Sequence, residues 1–297
     1  MTVLVAGLLN LETSAPVAGF PLDYAPARYP DGIAAVVSGV GWNLALALHT
    51  LGTPVRLLGF AGDDPAGRVV RAIVDASGID ATLLPCPRTP QSVILHDETG
   101  RRAILTDTAG TPDLGVPVAA FDAAVAGCDT VILSNIDWTR PLLTRARHAG
   151  VPVVTDLHAV AGLDNPYDAD YLDHADVLFL SGEHLPEPPE RFAARVLERS
   201  GAQIVVIGLG AGGALLARRG LEPLRVRAPR LRPVVSTTGA GDALLAGFVH
   251  FHRRLGDPAE ALERAVVFAS WKVGARSGAE GFIDGAAVER LAAGPPA

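Results

Sequence analysis

Short, nearly continuous apolar runs recur along the chain, and stretches of helical period separate them. Thr2 to Ala6 is the first such run, ending at Gly7, and Val55 to Phe60 repeats the pattern. Thr130–Leu133, Val151–Thr155, Ala175–Leu180, Ile204–Ile207 and Ala214–Ala217 read as further strands. Helical spacing predicts segments ending near His49, after Asp64-Pro65 as N-cap and first turn, over Pro141–Ala149 and Glu190–Arg199, from Asp242 past Val249, and over Pro258–Trp271. Apolar strands that alternate with helices form a mostly parallel sheet covered on both faces, so the fold class is α/β. Two stretches break this rhythm. Residues 13–36 are too irregular for a helix, and Gln91–His96 with Arg102–Thr106 flank a hairpin turn containing Gly100.

In such sheets ligands lie beyond the carboxyl ends of the strands. Asn135 with Asp137, Asp156, and Ser181 with Glu183 stand at such ends. The richest stretch is Val234-Val235-Ser236-Thr237-Thr238-Gly239-Ala240-Gly241-Asp242, which reads as a strand end, a loose turn and a helix start. Glycines let backbone approach a ligand, and the unpaired amides at a helix start favour an anion such as phosphate. A carboxylate at Asp242 would repel that anion unless it faces a hydroxyl about to be phosphorylated, whose proton it could accept. From position alone, Asp242 as a helix cap remains an equal alternative.

Composition narrows the chemistry. The 297 residues allow one large core, and a formal net charge of −7 disfavours nucleic acid. No apolar run looks like a membrane span; the nearest, Ala202 to Ala217, contains Gln203 and several glycines. With no basic leader and no ligand spacing at Cys86 or Cys128, a cytoplasmic protein is expected. Lys272 is the sole lysine and its neighbours make no Gly-Lys-Ser/Thr, so a P-loop is excluded, as is the protein-kinase arrangement. Phosphate charge falls to amides, arginines and metal.

Two further glycine clusters follow the same logic. Ser38-Gly39-Val40-Gly41-Trp42-Asn43 opens a helix; Asn43 offers a donor and an acceptor to hydroxyls, and Trp42 either stacks on a ligand or packs under a lid. Gly208-Leu209-Gly210-Ala211-Gly212-Gly213 matches a dinucleotide fingerprint literally, but strand and turn follow where that motif needs a helix. Upstream, Asn10 and Glu12 are spaced to share one side of an extended segment, or are loop polar residues. Asp63 and Asp64 read as structural, and His250 and His252 point to different helix faces as surface or core residues.

Together these segments resemble the ribokinase-like (PfkB) family of sugar and nucleoside kinases. Ser236-Thr237-Thr238-Gly239-Ala240-Gly241-Asp242 is similar to the family's Asp-Thr-x-Gly-Ala-Gly-Asp, Ser38 to Asn43 to its Gly-Gly-x-Gly-x-Asn, and Asn10-x-Glu12 to its Asn-x-Asp. The order of the motifs, from Gly7 to Gly278, favours Asp242 as base over cap. The resemblance implies a three-layer α/β/α domain over residues 1–297, with a small β lid from about 10–38 and 89–107 that excludes water. It implies transfer of the γ-phosphate of MgATP to a hydroxymethyl group of a sugar or nucleoside. Asp242 would be the base and the Gly239, Ala240 and Gly241 amides the anion hole. Asn10, Glu12, Ser38, Gly39, Asn43 and Asp137 would hold the acceptor. Ser181, Gly208, Gly210, Gly213, Thr238 and Gly274 would line the nucleotide, and Glu183, one residue early with His184 in the family's Glu position, would approach Mg2+ through water. Ser236 in place of Asp removes an expected ligand for a monovalent cation such as K+. Arg101 and Arg102 at the lid tip would suit a phosphorylated sugar, and the lid edge would suit a homodimer. Two other readings stay open: a hydroxymethylpyrimidine- or pyridoxal-type kinase, whose relatives generally lack the lid, and a catalytically silent sugar sensor.

Overall fold

The computed structural model describes residues 2–98 and 101–294. Its main sheet contains β1 (Thr2–Ala6), β4 (Val55–Gly62), β5 (Asp80–Cys86), β8 (Cys128–Leu133), β9 (Val153–Ala159), β10 (Val177–Ser181), β11 (Ile204–Gly208), β12 (Ala214–Arg218) and β13 (Leu224–Val226). The strand order is β13-β12-β11-β10-β9-β8-β1-β4-β5; all neighbours pair in parallel except β11 with β12 and β12 with β13. Alternation along each strand separates two cores. Val3, Val5, Ile204 and Val206 pack on one face, against α1 (Val40–Leu51), α2 (Pro65–Ser77), α7 (Ala240–Leu255), α8 (Pro258–Lys272) and α9 (Gly285–Ala292). Leu4, Ala6, Val205 and Ile207 pack on the other, against α3 (Val118–Val125), α4 (Arg140–His148), α5 (Ala169–His174) and α6 (Pro189–Arg199). Continuous apolar runs in the sequence thus reflect strands buried on both sides.

A second sheet has the order β3-β2-β6-β7, from β2 (Asn10–Pro16), β3 (Ala34–Ser38), β6 (Gln91–His96) and β7 (Arg102–Asp107). β2 pairs with β6 in parallel, and the outer pairs are antiparallel. Asp64 ties this sheet to the body: its carboxylate caps α2 through the Gly67 amide at 2.7 Å and accepts the Thr89 amide at 2.7 Å. The expected turn residue Gly100 lies outside the described residues.

Two expectations need correction. Val234-Val235 is not a strand end: both side chains are exposed, and the Val235 and Ser236 amides donate to Val273 O instead of a ladder. Gly274 does not end α8 in a left-handed cap either; Val273 takes that place in right-handed geometry. Trp42 is buried in the core, so it packs. After Gly213 comes β12, without the helix a dinucleotide fold requires. No helix among the described residues is long and apolar enough to cross a membrane.

Candidate active site

The first turns of α1 and α7 meet at the carboxyl end of the sheet. Gly39, at φ 99°, precedes α1, and a Cβ there would sit 2.5 Å from Leu8 O, so glycine is required. This places Asn43 one turn inside α1, where its Nδ2 donates to Oδ2 of Asp242 at 2.8 Å. Gly239, at φ 75°, precedes α7 and packs on Gly278, whose carbonyl oxygen would lie 2.7 Å from an added Cβ. Among the described residues the amides of Gly239, Gly241 and Asp242 find no acceptor, whereas Ala240 N donates to Thr237 O at 3.2 Å. The amides left free to meet an anion are therefore those of Gly239, Gly241 and Asp242, with Ala240 already engaged.

Asp242 is buried, and burial pushes its carboxyl up to about 6. The Asn43 hydrogen bond and the charges of His158 and Lys272 act the other way. Asp156, in the middle of β9 and not at a strand end as its sequence position suggests, lies against the same turn, 3.8 Å from a Cβ built on Gly241. Burial opposes its ionisation, but His158 outweighs that and holds the carboxyl below the usual range. His158 had no signal in the sequence. It sits at φ 60°, its amide donates to Asp156 Oδ1 at 2.8 Å, and its Nδ1 is 3.4 Å from Oδ2. Asp156 chiefly raises the imidazole to about 9, and Asp242 and Asp168 add to this. The half-exposed ring is thus a cation beside the anion turn.

Lys272, read from sequence only for what it excludes, is fully buried at the end of α8, and its Nζ donates to Ser277 O. Burial lowers it to about 8, while Asp242, Glu280 and Glu12 sustain its charge.

On the acceptor side, Asn10 and Glu12 are buried on β2 and do share a face. Asn10 Nδ2 donates to Ser92 Oγ, and its Oδ1 is buried without a partner, a free acceptor for a ligand hydroxyl. Burial raises Glu12, opposed by its hydrogen bond with Ser38; Ser38 Oγ reaches Asn43 Oδ1 at 3.4 Å. One polar line runs from Glu12 through Ser38 and Asn43 to Asp242. Asp137 is not on it: it is half-exposed and paired with Arg140 at 3.3 Å.

The nucleotide candidates gather less tightly. Ser181 and Gly208 are register partners on β10 and β11, and Ser181 Oγ accepts the Glu183 amide. Gly210, at φ 56°, turns the chain after β11. Gly213 is held by packing, since a Cβ would meet Val226 O at 1.9 Å. Gly274 seats the Arg232 side chain, which stacks on Trp271. Thr238 Oγ1 accepts from Arg102 at 3.2 Å. Glu183 belongs to no ligand cluster: among the described residues no group of three or more His, Cys, Asp or Glu could hold a metal. His250 is a core residue, 2.6 Å from Thr53 Oγ1 and lowered to about 4 by burial.

The model of the pfkB family carbohydrate kinases matches residues 2–284. The chain is 33% identical to the acarbose 7(IV)-phosphotransferase of Actinoplanes sp. over 299 residues, covering 98% of both chains. It is 28% identical to the 1-phosphofructokinase of Rhodobacter capsulatus, covering 80% of this chain and 79% of that one. The solved structure of a microbiome-derived acarbose kinase superposes with a TM-score of 0.90 at 30% identity, covering 98% of each. Arabidopsis thaliana ribokinase with ribose and ATP gives 0.82 at 22% identity over 98% of each, a likeness of fold.

Proposed function

The chain belongs to the pfkB family of carbohydrate kinases and is an ATP-dependent sugar phosphotransferase, and from that premise we propose which of its residues carry the reaction. Asp242 accepts the proton of the acceptor hydroxyl while the Gly239, Gly241 and Asp242 amides hold the γ-phosphoryl group of MgATP. The observation that carries this is the 2.8 Å bond from Asn43 to Asp242, which aims the carboxylate from the acceptor side toward the amide turn. A base with a pKa near 6 is ionised at neutral pH yet basic enough to take a proton in the transition state. Asn10, Glu12, Ser38, Gly39 and Asn43 grip the acceptor hydroxyls, and Asp137 borders the same end of the sheet.

Mg2+ would enter with ATP and be approached through water by Glu183, after β10. It neutralises phosphate charge there. Ser181, Gly208, Gly210 and Thr238 line the nucleotide. For a monovalent cation the region is poorer than the family's pattern: Ser236 carries no charge, and its hydroxyl already bonds Thr238.

For the acceptor we propose a carbohydrate larger than a monosaccharide, with acarbose as the first probe. Two of the relatives just described carry that name, and the loop between β2 and β3 presents Tyr24 and Tyr29 almost fully exposed (93% and 94%), flat surfaces on which sugar rings can lie. The four-stranded lid also favours a sugar over a hydroxymethylpyrimidine. We further propose one folding unit over the whole chain, a cytoplasmic location where ATP is supplied, and a homodimer through the edge strand β7, which exposes Ile104 and Leu105.

The test is MgATP turnover on acarbose, ribose, fructose and adenosine, with Asp242→Asn alongside. Phosphorylation of one acceptor and a loss of at least ~100-fold in the variant support the assignment. A variant as fast as the parent removes Asp242 as base.

A further inference from the structure

Two arginines stand at the lid tip, and the structure gives them different fates. Arg101 is tied down: its Nε donates to Asp97 at 2.8 Å and its guanidinium lies over the Phe20 ring. Arg102, the first residue of β7, crosses instead to the body. Its Nη1 donates to Thr237 Oγ1 at 2.9 Å and to Thr238 Oγ1 at 3.2 Å. Those threonines immediately precede Gly239, so the lid lays a guanidinium at the entrance of the amide turn.

We propose that Arg102 is a catalytic residue, a cation delivered by the lid that binds the transferring phosphoryl group. This rests on the reading of Asp242 and its turn as the phosphoryl site. Four observations support it. Arg102 forms no ion pair among the described residues, whereas Arg56, Arg88, Arg101, Arg140, Arg253 and Arg264 each pair with a carboxylate. Only Nη1 is engaged, on neutral hydroxyls, which leaves Nε and Nη2 as donors for an anion. The charge is also felt by Glu12, whose carboxyl it draws down against the larger effect of burial. And the sole lysine cannot serve, because Lys272 is buried and donates to Ser277 O.

The chemistry asks for such a group. The bond from Pγ to the β–γ bridging oxygen breaks and its electron pair leaves with ADP. A bond from Pγ to the acceptor oxygen forms, and the hydroxyl proton passes to Asp242. Negative charge spreads over the three non-bridging oxygens meanwhile, and a planar guanidinium can meet two of them at once. Because the lid carries the arginine, the cation reaches the turn only while the lid lies against the body, as it does here.

A latch that merely holds the lid shut is the competing account. Affinity for MgADP with fluoroaluminate, a mimic of the transferring group, separates the two and needs no acceptor. Arg102→Met should bind MgADP–fluoroaluminate at least ~30-fold more weakly and bind MgATP within ~3-fold of the parent. Its kcat on acarbose should fall ~100-fold, with partial recovery in millimolar guanidinium. Thr237→Val, which removes one latch partner and leaves the guanidinium, should keep fluoroaluminate affinity within ~3-fold of the parent. Parental fluoroaluminate affinity in Arg102→Met overturns the proposal, as does an effect confined to acceptor KM. Asp242→Asn should keep fluoroaluminate affinity while losing turnover, so failure of the base assignment shows separately.

Discussion

Asn43 and Asp242, on the first turns of two helices 199 residues apart, share a hydrogen bond of 2.8 Å in a buried setting. The bond opposes the effect of burial, which holds the Asp242 carboxyl near 6. A base works only when ionised, so kcat/KM should fall as pH drops through about 6. Asn43→Ala removes the opposing hydrogen bond and should move this acid limb to higher pH, whatever it does to acceptor KM. A pH profile of both proteins checks this; an unmoved limb would separate the bond from the titration.

Asp242 also burdens the fold. Its folded pKa of about 6 lies above the ordinary 3.8, so the folded state binds the proton more tightly than the unfolded chain does. Stability is therefore lost as pH rises from about 4 to 6 and stays lower above that. The cost at neutral pH is of order ~3 kcal/mol. Asp242→Asn should melt several degrees above the parent at pH 7.5, and the gap should close at pH 4. Calorimetry at the two pH values decides it.

Much of this arrangement was legible because the residues involved report on backbone as well as chemistry. Gly39 and Gly239 stand out in sequence since only glycine suits φ of 99° and 75° against neighbouring carbonyls, and both mark helix starts that aim a polar side chain. Both-face burial made β1, β4, β10 and β11 visible as apolar runs. The short helices α5 and α9 offer too few turns for a period, and β5, at the sheet edge, carries Asp80 and Pro85. The exposed Val234 and Val235 look like a strand because composition does not reveal where their amides go. His158 and Lys272 carried no signal as site residues, and Arg102 was read only as a lid-tip cation for a phosphorylated sugar, because the segments that meet around Asp242 and Thr237 are remote in sequence. No spacing encodes that.

Lys272 places a buried ammonium among Asp242, Glu280 and Glu12. Its charge helps to keep Asp242 ionised. Lys272→Met should leave Ser277 O without its donor and the carboxylates less compensated, at a cost of roughly 3 kcal/mol. The acid limb of kcat/KM should also move above about 6 in that variant. Since Ser236 offers no charge to a monovalent cation, the parent should run equally fast in potassium and in tetramethylammonium chloride. A parent that needs potassium would contradict the poor fit of that ion.

His158 supplies the last and sharpest expectation. Its ring faces Asp156 at 3.4 Å, lies within the field of Asp242 and Asp168, and holds its proton to about 9. The residue sits at φ 60°, a conformation that costs of order 1 kcal/mol for a side chain other than glycine. On the proposed reading of the Gly239–Asp242 turn as the phosphoryl site, this strained cation is placed to meet phosphate charge. His158→Gln should therefore lower kcat by ~10-fold or more, and should also melt below the parent at neutral pH, because the pairing with Asp156 that raises the imidazole stabilises the fold there. The imidazolium is present below its pKa, so the activity it supports is lost as pH rises through about 9. That part of the alkaline limb should vanish in the variant, leaving the part due to Lys272, near 8. An unchanged alkaline limb with parental kcat would assign His158 to holding Asp156 in place and nothing more.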